Sequence, residues 1–229
     1  MGDIGCYTLG AMPPLHAMDT TICMGASISN AIGMRKAGHP GRIAAVIGDS
    51  TFFHSGMTGL IDAVYNKAAI TTVILDNRTT AMTGHQDHPG TGRLLTGEDA
   101  PRADLETLCK ALGAANVWTV NPYDLTALEE TLKKAMDAGE ANVVIALAPC
   151  VLAEKLNIDA KTCAVDEAKC TACGVCFKLG CPAILRGASV GTDGKRFKRS
   201  AVSTGCLNST CTLCSQVCKL GAITSCRQS

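Results

Sequence analysis

The chain has 229 residues, 47 % hydrophobic and 18 % charged, which suits a soluble globular protein of one or two domains. No apolar run is long enough to span a bilayer; the best, Val143 to Leu152, is broken by Pro149, so a membrane helix is excluded. The net charge of +1 hides a division, with ten Lys and Arg against three Asp and Glu in residues 160–229 and eleven against seventeen in residues 1–159.

In chain order, Met1-Gly2-Asp3-Ile4-Gly5 lacks the charged-then-apolar layout of a secretory leader. Met24 to Lys36 reads as a helix rich in small residues, with Gly25, Ala26, Ser27, Ser29 and Gly33 permitting close approach. Arg42 to Ile47 is a short apolar strand ending in Gly48-Asp49-Ser50. His54 to Lys67 follows as a helix, with Met57, Leu60, Ile61 and Val64 spaced along one face. The strand Thr71–Leu75 ends at Asp76-Asn77-Arg78-Thr79. Helix Pro101–Leu112, strand Asn116–Val120, helix Asp124–Ala138 and strand Asn142–Leu147 complete the series, with Gly113 and Gly139 as stops. Strands alternating with helices predict an α/β, doubly wound parallel sheet that binds ligands beyond the carboxyl ends of its strands. With aromatics at 3 % and 23 glycines, its core is expected from Ala, Val, Ile and Leu.

One crossover separates Asp49 from Asn77, which predicts both oxygen donors at the same sheet edge. Such a pair suits Mg²⁺, whose remaining positions diphosphate oxygens and water fill. The plainer reading is two ordinary turn residues. A P-loop and a complete G-x-G-x-x-G are both absent from the sequence.

Eight of the 14 cysteines form two sets near the C-terminus. The first is Cys170-x-x-Cys173-x-x-Cys176-x-x-x-x-Cys181-Pro182, and the second Cys206-x-x-x-x-Cys211-x-x-Cys214-x-x-x-Cys218. A C-x-x-C-x-x-C run supplies three thiolates to one cubane cluster, and in two-cluster ferredoxins the fourth comes from the other motif. That pattern assigns Cys170, Cys173, Cys176 and Cys218 to one 4Fe–4S cluster and Cys181, Cys206, Cys211 and Cys214 to another. Zinc needs four ligands and gives no reason for the third, evenly spaced cysteine. The second set departs from the usual form by its stretched first gap and by Lys219 in place of proline. Pro182-Ala183-Ile184 and Gly221-Ala222-Ile223 follow the two sets as similar phrases, as in an internal duplication. Cys6, Cys23, Cys109, Cys150, Cys163 and Cys226 are scattered, which points to a reducing, cytoplasmic setting. The basic run Lys195-Arg196-Phe197-Lys198-Arg199 reads as a solvated hairpin tip. It is too short and too poor in aromatics for nucleic acid.

Gly48-Asp49-Ser50 followed by Asp76-Asn77 resembles the thiamine-diphosphate motif. With the stretches Gly2–Gly10, Gly48–Gly56 and Thr80–Gln86, and both cysteine motifs, the chain is similar to the large subunit of indolepyruvate:ferredoxin oxidoreductases. The resemblance implies a thiamine-diphosphate-binding fold over residues 1–156 and a small α+β ferredoxin-like two-cluster domain over 157–229. It implies that Asp49, Asn77 and the Thr79 carbonyl hold Mg²⁺ against the diphosphate, with Gly48 and Ser50 in the motif. It also puts Gly5, Cys6, Met24, Gly25 and Met82 near the cofactor, and makes His54 and His85 the catalytic candidates. Gln86 and His88 are further polar candidates, although a lone histidine is more often structural.

The implied reaction is oxidative decarboxylation of an aryl 2-oxo acid, with the acyl group passing to coenzyme A and electrons to an external ferredoxin. The family's pyrimidine-binding half and its activating Glu have no counterpart here, so a second subunit or a missing N-terminal half is expected to supply them. Two other readings compete: an electron-transfer subunit whose α/β part only docks, and an oxidoreductase for pyruvate or 2-oxoglutarate.

Overall fold

The computed structural model describes residues 1–153, 163–190, 196–200, 206 and 211–224. Two units emerge, the first containing most of residues 1–154 and the second most of 155–229. The expected boundary at 156/157 lies outside the described residues, as do Lys195 and Cys226.

The first unit is built on four parallel strands: β1 (Ala44–Gly48), β2 (Thr71–Asp76), β3 (Asn116–Val120) and β4 (Asn142–Leu147), in the order β1-β2-β4-β3. The central strands β2 and β4 are buried on both faces, with an apolar centre of Val73, Ile74, Val143, Val144 and Ile145, as expected of covered parallel strands. Ile47, Ile74, Val143 and Ile145 from the sheet share a core with Ile28 and Ile32 of α1 (Ala26–Lys36) and Leu60 and Ala63 of α3 (Met57–Tyr65). Phe52 and Phe53 also enter this core, so two of the few aromatics are spent there. The N-terminus runs beside the free edge of β1: the Met1 amine donates to Ala44 O (2.7 Å), and Val46 N–H donates to Met1 O (2.9 Å). That pairing delivers residues 3–7 to the carboxyl end of the sheet.

All four predicted strands and four predicted helices are present, with boundaries adjusted by local chemistry. The first helix begins at Ala26 because Gly25 sits at φ +87°, in the left-handed region. The second is replaced at its start by a short turn α2 (Asp49–Thr51) and a π-helical turn over Phe52–Gly56, before α3. The third, α4 (Leu105–Ala111), starts later than Pro101 because Asp104 is its cap, the side chain accepting Thr107 N–H at 2.8 Å. The fourth, α5, covers Leu125–Asp137.

In the second unit β5 (Ala164–Val165) pairs antiparallel with β8 (Ile223–Thr224), and β6 (Leu185–Val190) with β7 (Arg196–Ser200). A 3-10 turn over Val175–Leu179 follows the first cysteines, and α6 (Leu213–Gln216) carries Cys214. Cys163, Ala183, Cys214 and Ile223 form its small core. Among the described residues no helix is long and apolar enough to cross a membrane.

Candidate cofactor edge and cysteine groups

Gly48 pairs opposite Leu75, so Asp49 and Asp76 leave neighbouring strands at the same carboxyl edge. Their exposures are only 2 % and 3 %. Asp49 Oδ1 accepts Ser50 N–H (2.8 Å), while Oδ2 accepts Arg78 N–H (2.9 Å) and lies 3.1 Å from His88 Nε2. Gly90 N–H donates to His88 Nδ1 (3.1 Å), so Nδ1 is the acceptor and Nε2 carries the hydrogen toward Asp49. The His88 ring leans on Phe53, centroids 5.5 Å apart. Arg78, at φ +62°, turns its N–H toward both Asp49 Oδ2 and Asp76 Oδ1, the latter at 3.2 Å. A non-glycine residue held there stores strain of the kind that accumulates at functional sites. Burial pushes the Asp76 carboxyl up to about 7, the adjacent Asp49 adds to the rise, and His88 and Arg102 oppose it. Two carboxylates packed together out of water are complementary to a cation.

A cavity of about 260 Å³ opens at this edge. Gly5, Cys6, Met24, Gly48, Asp49, Ser50, Asn77, Thr79 and Met82 all line it, together with Tyr7 and Thr80. Thr80 Oγ1 donates to Ser50 Oγ (2.7 Å), which leaves the Ser50 hydroxyl hydrogen for an acceptor in the cavity. Asn77 Oδ1 accepts Thr79 N–H (3.2 Å). Tyr7 OH accepts Gly48 N–H (2.8 Å), and its ring lies where a Cβ on Gly5 would collide. Burial, reinforced by the negative Asp3, keeps that phenol protonated by raising its pKa. Asp3 is fully buried and accepts Gly25 N–H on both oxygens (2.8 Å each) and Ile4 N–H (2.9 Å). Gly25 itself stays outside the cavity lining, where its bond to Asp3 ties the start of α1 to the N-terminal loop.

His54 and His85 are exposed and outside this lining. His85 instead borders a separate open cleft with Asp87, His88 and Arg93. His88, only one of several polar candidates from the sequence, is the histidine that reaches Asp49. Asp76 lay in the motif, and Asp3, Tyr7 and Thr80 in the stretches beside it, but none stood out as a site residue, and only the fold brings their side chains together here.

In the second unit, Cys170, Cys173, Cys176 and Cys218 line one apolar cleft with Val165, Phe177 and Ile223. Ala172 at φ +57° and Gly174 at φ +76° bend the intervening loop around it. Cys181, Cys206 and Cys214 lie around Cys211: burial chiefly raises the Cys211 thiol, its bond from Leu213 N–H opposes, and these three cysteines add to the rise. In the first cleft, three cysteines of the first motif thus meet one of the second. Cys163 stands beside the second group, buried, with its sulfur 3.9 Å from Cys214 Sγ. Burial first, then Cys214 and Cys206, push its thiol up to about 12. Among the described residues no three His, Cys, Asp or Glu side chains form a ready-made single-ion site.

Residues 3–146 match the family described as thiamine pyrophosphate enzyme, C-terminal TPP binding domain. Indolepyruvate oxidoreductase subunit IorA of Methanothermobacter marburgensis is 44 % identical over 222 residues, covering 96 % of this chain and 34 % of that one. The IorA subunit of Pyrococcus horikoshii is 40 % identical over 245 residues, covering 99 % and 36 %. The chain thus spans about a third of the length of the curated relatives it matches. A solved 2-oxoglutarate:ferredoxin oxidoreductase from Magnetococcus marinus shares the fold, with a TM-score of 0.54 at 19 % identity over 65 % of this chain and 53 % of that one. A parallel sheet with an acidic cavity at its carboxyl edge, and a family match over more than half the residues, lead to one conclusion: the chain belongs to the thiamine pyrophosphate enzymes, through their C-terminal TPP-binding domain.

Proposed function

We propose that this chain is the diphosphate-binding and electron-relaying part of a 2-oxo acid:ferredoxin oxidoreductase, with indolepyruvate as substrate. The observation that carries the reading is one chain holding both the Asp49–Asn77 edge and two four-cysteine groups. Asp49, Asn77 and the Thr79 carbonyl are proposed to hold Mg²⁺, and Ser50, Gly48, Gly5 and Cys6 to receive the diphosphate. Bound there, thiamine diphosphate supplies the electron sink that decarboxylation requires. The chain's own residues bind and orient. His88 and Arg78 N–H fix the Asp49 carboxylate, Tyr7 fixes the Gly48 backbone, and Thr80 aims the Ser50 hydroxyl.

The crossed cysteine groups are proposed to hold two 4Fe–4S clusters, which carry electrons one at a time toward a ferredoxin, while coenzyme A takes the acyl group. The exposed rim residues Met24 and Met82 fit a second polypeptide segment closing over the cavity. Any contact of His54 or His85 with the reacting carbon is assigned to that completed site. Residues 1–156 and 157–229 are the proposed working domains.

Calorimetry on anaerobically prepared chain tests the first half of the reading: thiamine diphosphate should bind with Mg²⁺ and fail to bind with chelator. Iron and sulfide present without any cofactor binding would instead favour a docking module. Dye reduction with indolepyruvate, pyruvate or 2-oxoglutarate plus coenzyme A, after mixing with the complementary polypeptide, identifies the substrate.

A further inference from the structure

Outside the eight motif cysteines, the second unit places a ninth thiol where its chemistry is constrained. Cys163 immediately precedes β5, and the ladder Ala164–Thr224, Val165–Ile223, extended by Asp166 N–H to Ala222 O (2.8 Å), sets its backbone. Its side chain is 2 % exposed, packed with Ala183, Cys214 and Ile223. The 3.9 Å between its sulfur and that of Cys214 is a sulfur–sulfur hydrogen-bond distance.

We propose that Cys163 is not a ligand but a hydrogen-bond donor to the Cys214 sulfur, raising the reduction potential of the cluster that Cys214 helps to hold. The inference rests on the two-cluster reading and deepens it. A cysteine bound to iron is a thiolate and has no hydrogen to give. The hydrogen shared by this sulfur pair therefore belongs to Cys163, whose thiol is a weak donor. Reduction adds one electron to the cluster and more negative charge to its sulfurs. A donor aimed at one of them favours the reduced state, and hydrogen bonds to the sulfurs are among the factors that set cluster potentials. No proton moves: Cys163 keeps its hydrogen in both states. The four ligands assigned to this group already complete the set a cubane needs, which leaves the ninth thiol for tuning. The 3.9 Å contact is to Cys214, so the effect is placed on the cluster of that group.

The test is an electron-paramagnetic-resonance redox titration of anaerobically prepared full-length chain, alongside Cys163→Ala and Cys163→Ser, with iron and acid-labile sulfide measured for each. Both variants are expected to keep the iron and sulfide of the unmodified chain. In Cys163→Ala one midpoint moves to lower potential and the other stays. In Cys163→Ser, which retains a donor, the same midpoint returns toward its original value. Unchanged midpoints in both variants overturn the proposal. Loss of about one cluster's iron from both variants overturns it in another way, by making Cys163 a ligand. Absence of iron and sulfide from the unmodified chain defeats the two-cluster reading itself, a result distinct from either.

Discussion

Replacing Asp76 by asparagine tests the cost of burying an ionisable carboxyl beside Asp49 at one sheet edge. In the folded chain burial and Asp49 raise the Asp76 carboxyl from 3.8 to about 7. Between those values the native state retains a proton that the unfolded chain has released, so stability falls as pH rises. The stabilising contribution is complete below about pH 3.8 and is gone once pH has passed through about 7. At about 1.4 kcal/mol per tenfold change in proton affinity, the full loss is about 4 kcal/mol. An asparagine side chain at this position would avoid that loss and keep an acceptor for Arg78 N–H, but forfeits the Arg78 Nε–Asp76 Oδ2 pair at 3.3 Å. The net gain expected for Asp76→Asn at pH 8 is therefore about 2–4 kcal/mol, and close to zero at pH 4.

Trp118, the chain's single tryptophan, lies on β3 of the same unit, so its fluorescence reports this unit's unfolding in denaturant. Metal-free protein should be measured from pH 4 to pH 8. Curves for the two proteins that run parallel across that range would refute the reasoning, because ionising Asp76 in its buried place beside Asp49 would then carry no cost.

Two further substitutions probe the same edge. His88→Phe keeps an aromatic ring against Phe53 but removes the donor to Asp49 Oδ2, and should weaken Mg²⁺-dependent binding of thiamine diphosphate about ten- to hundredfold in calorimetry. Affinity equal to that of the unmodified chain would mean that Arg78 and Ser50 N–H suffice to orient Asp49. Asp3→Ala strands the Gly25 and Ile4 N–H groups in a buried setting, for an expected loss of about 2–4 kcal/mol read by Trp118 fluorescence. Asp3→Asn, which keeps one acceptor oxygen, should lose less; equal stability of all three proteins would assign Asp3 no clamping role.

Periodicity and spacing alone determined a good deal about this protein. The largely apolar runs ending in Gly48-Asp49 and Asp76-Asn77 defined two parallel strands and their shared edge, because a strand covered on both faces is built mainly of apolar residues and a one-helix crossover returns the chain in the same direction. The even C-x-x-C spacing marked the cysteine motifs, since a short loop has few ways to present three thiols together. Tertiary structure alone decided which side chains meet at those places. Asp3 reaches the site through strand-like pairing of Met1 with β1, and His88 through a loop pinned by its own bond from Gly90. Cys163 looked like one scattered cysteine until the β5–β8 ladder set it against Cys214. Such contacts join residues tens of positions apart, and no local pattern encodes them, because the free energy that holds them comes from the packing of the whole unit.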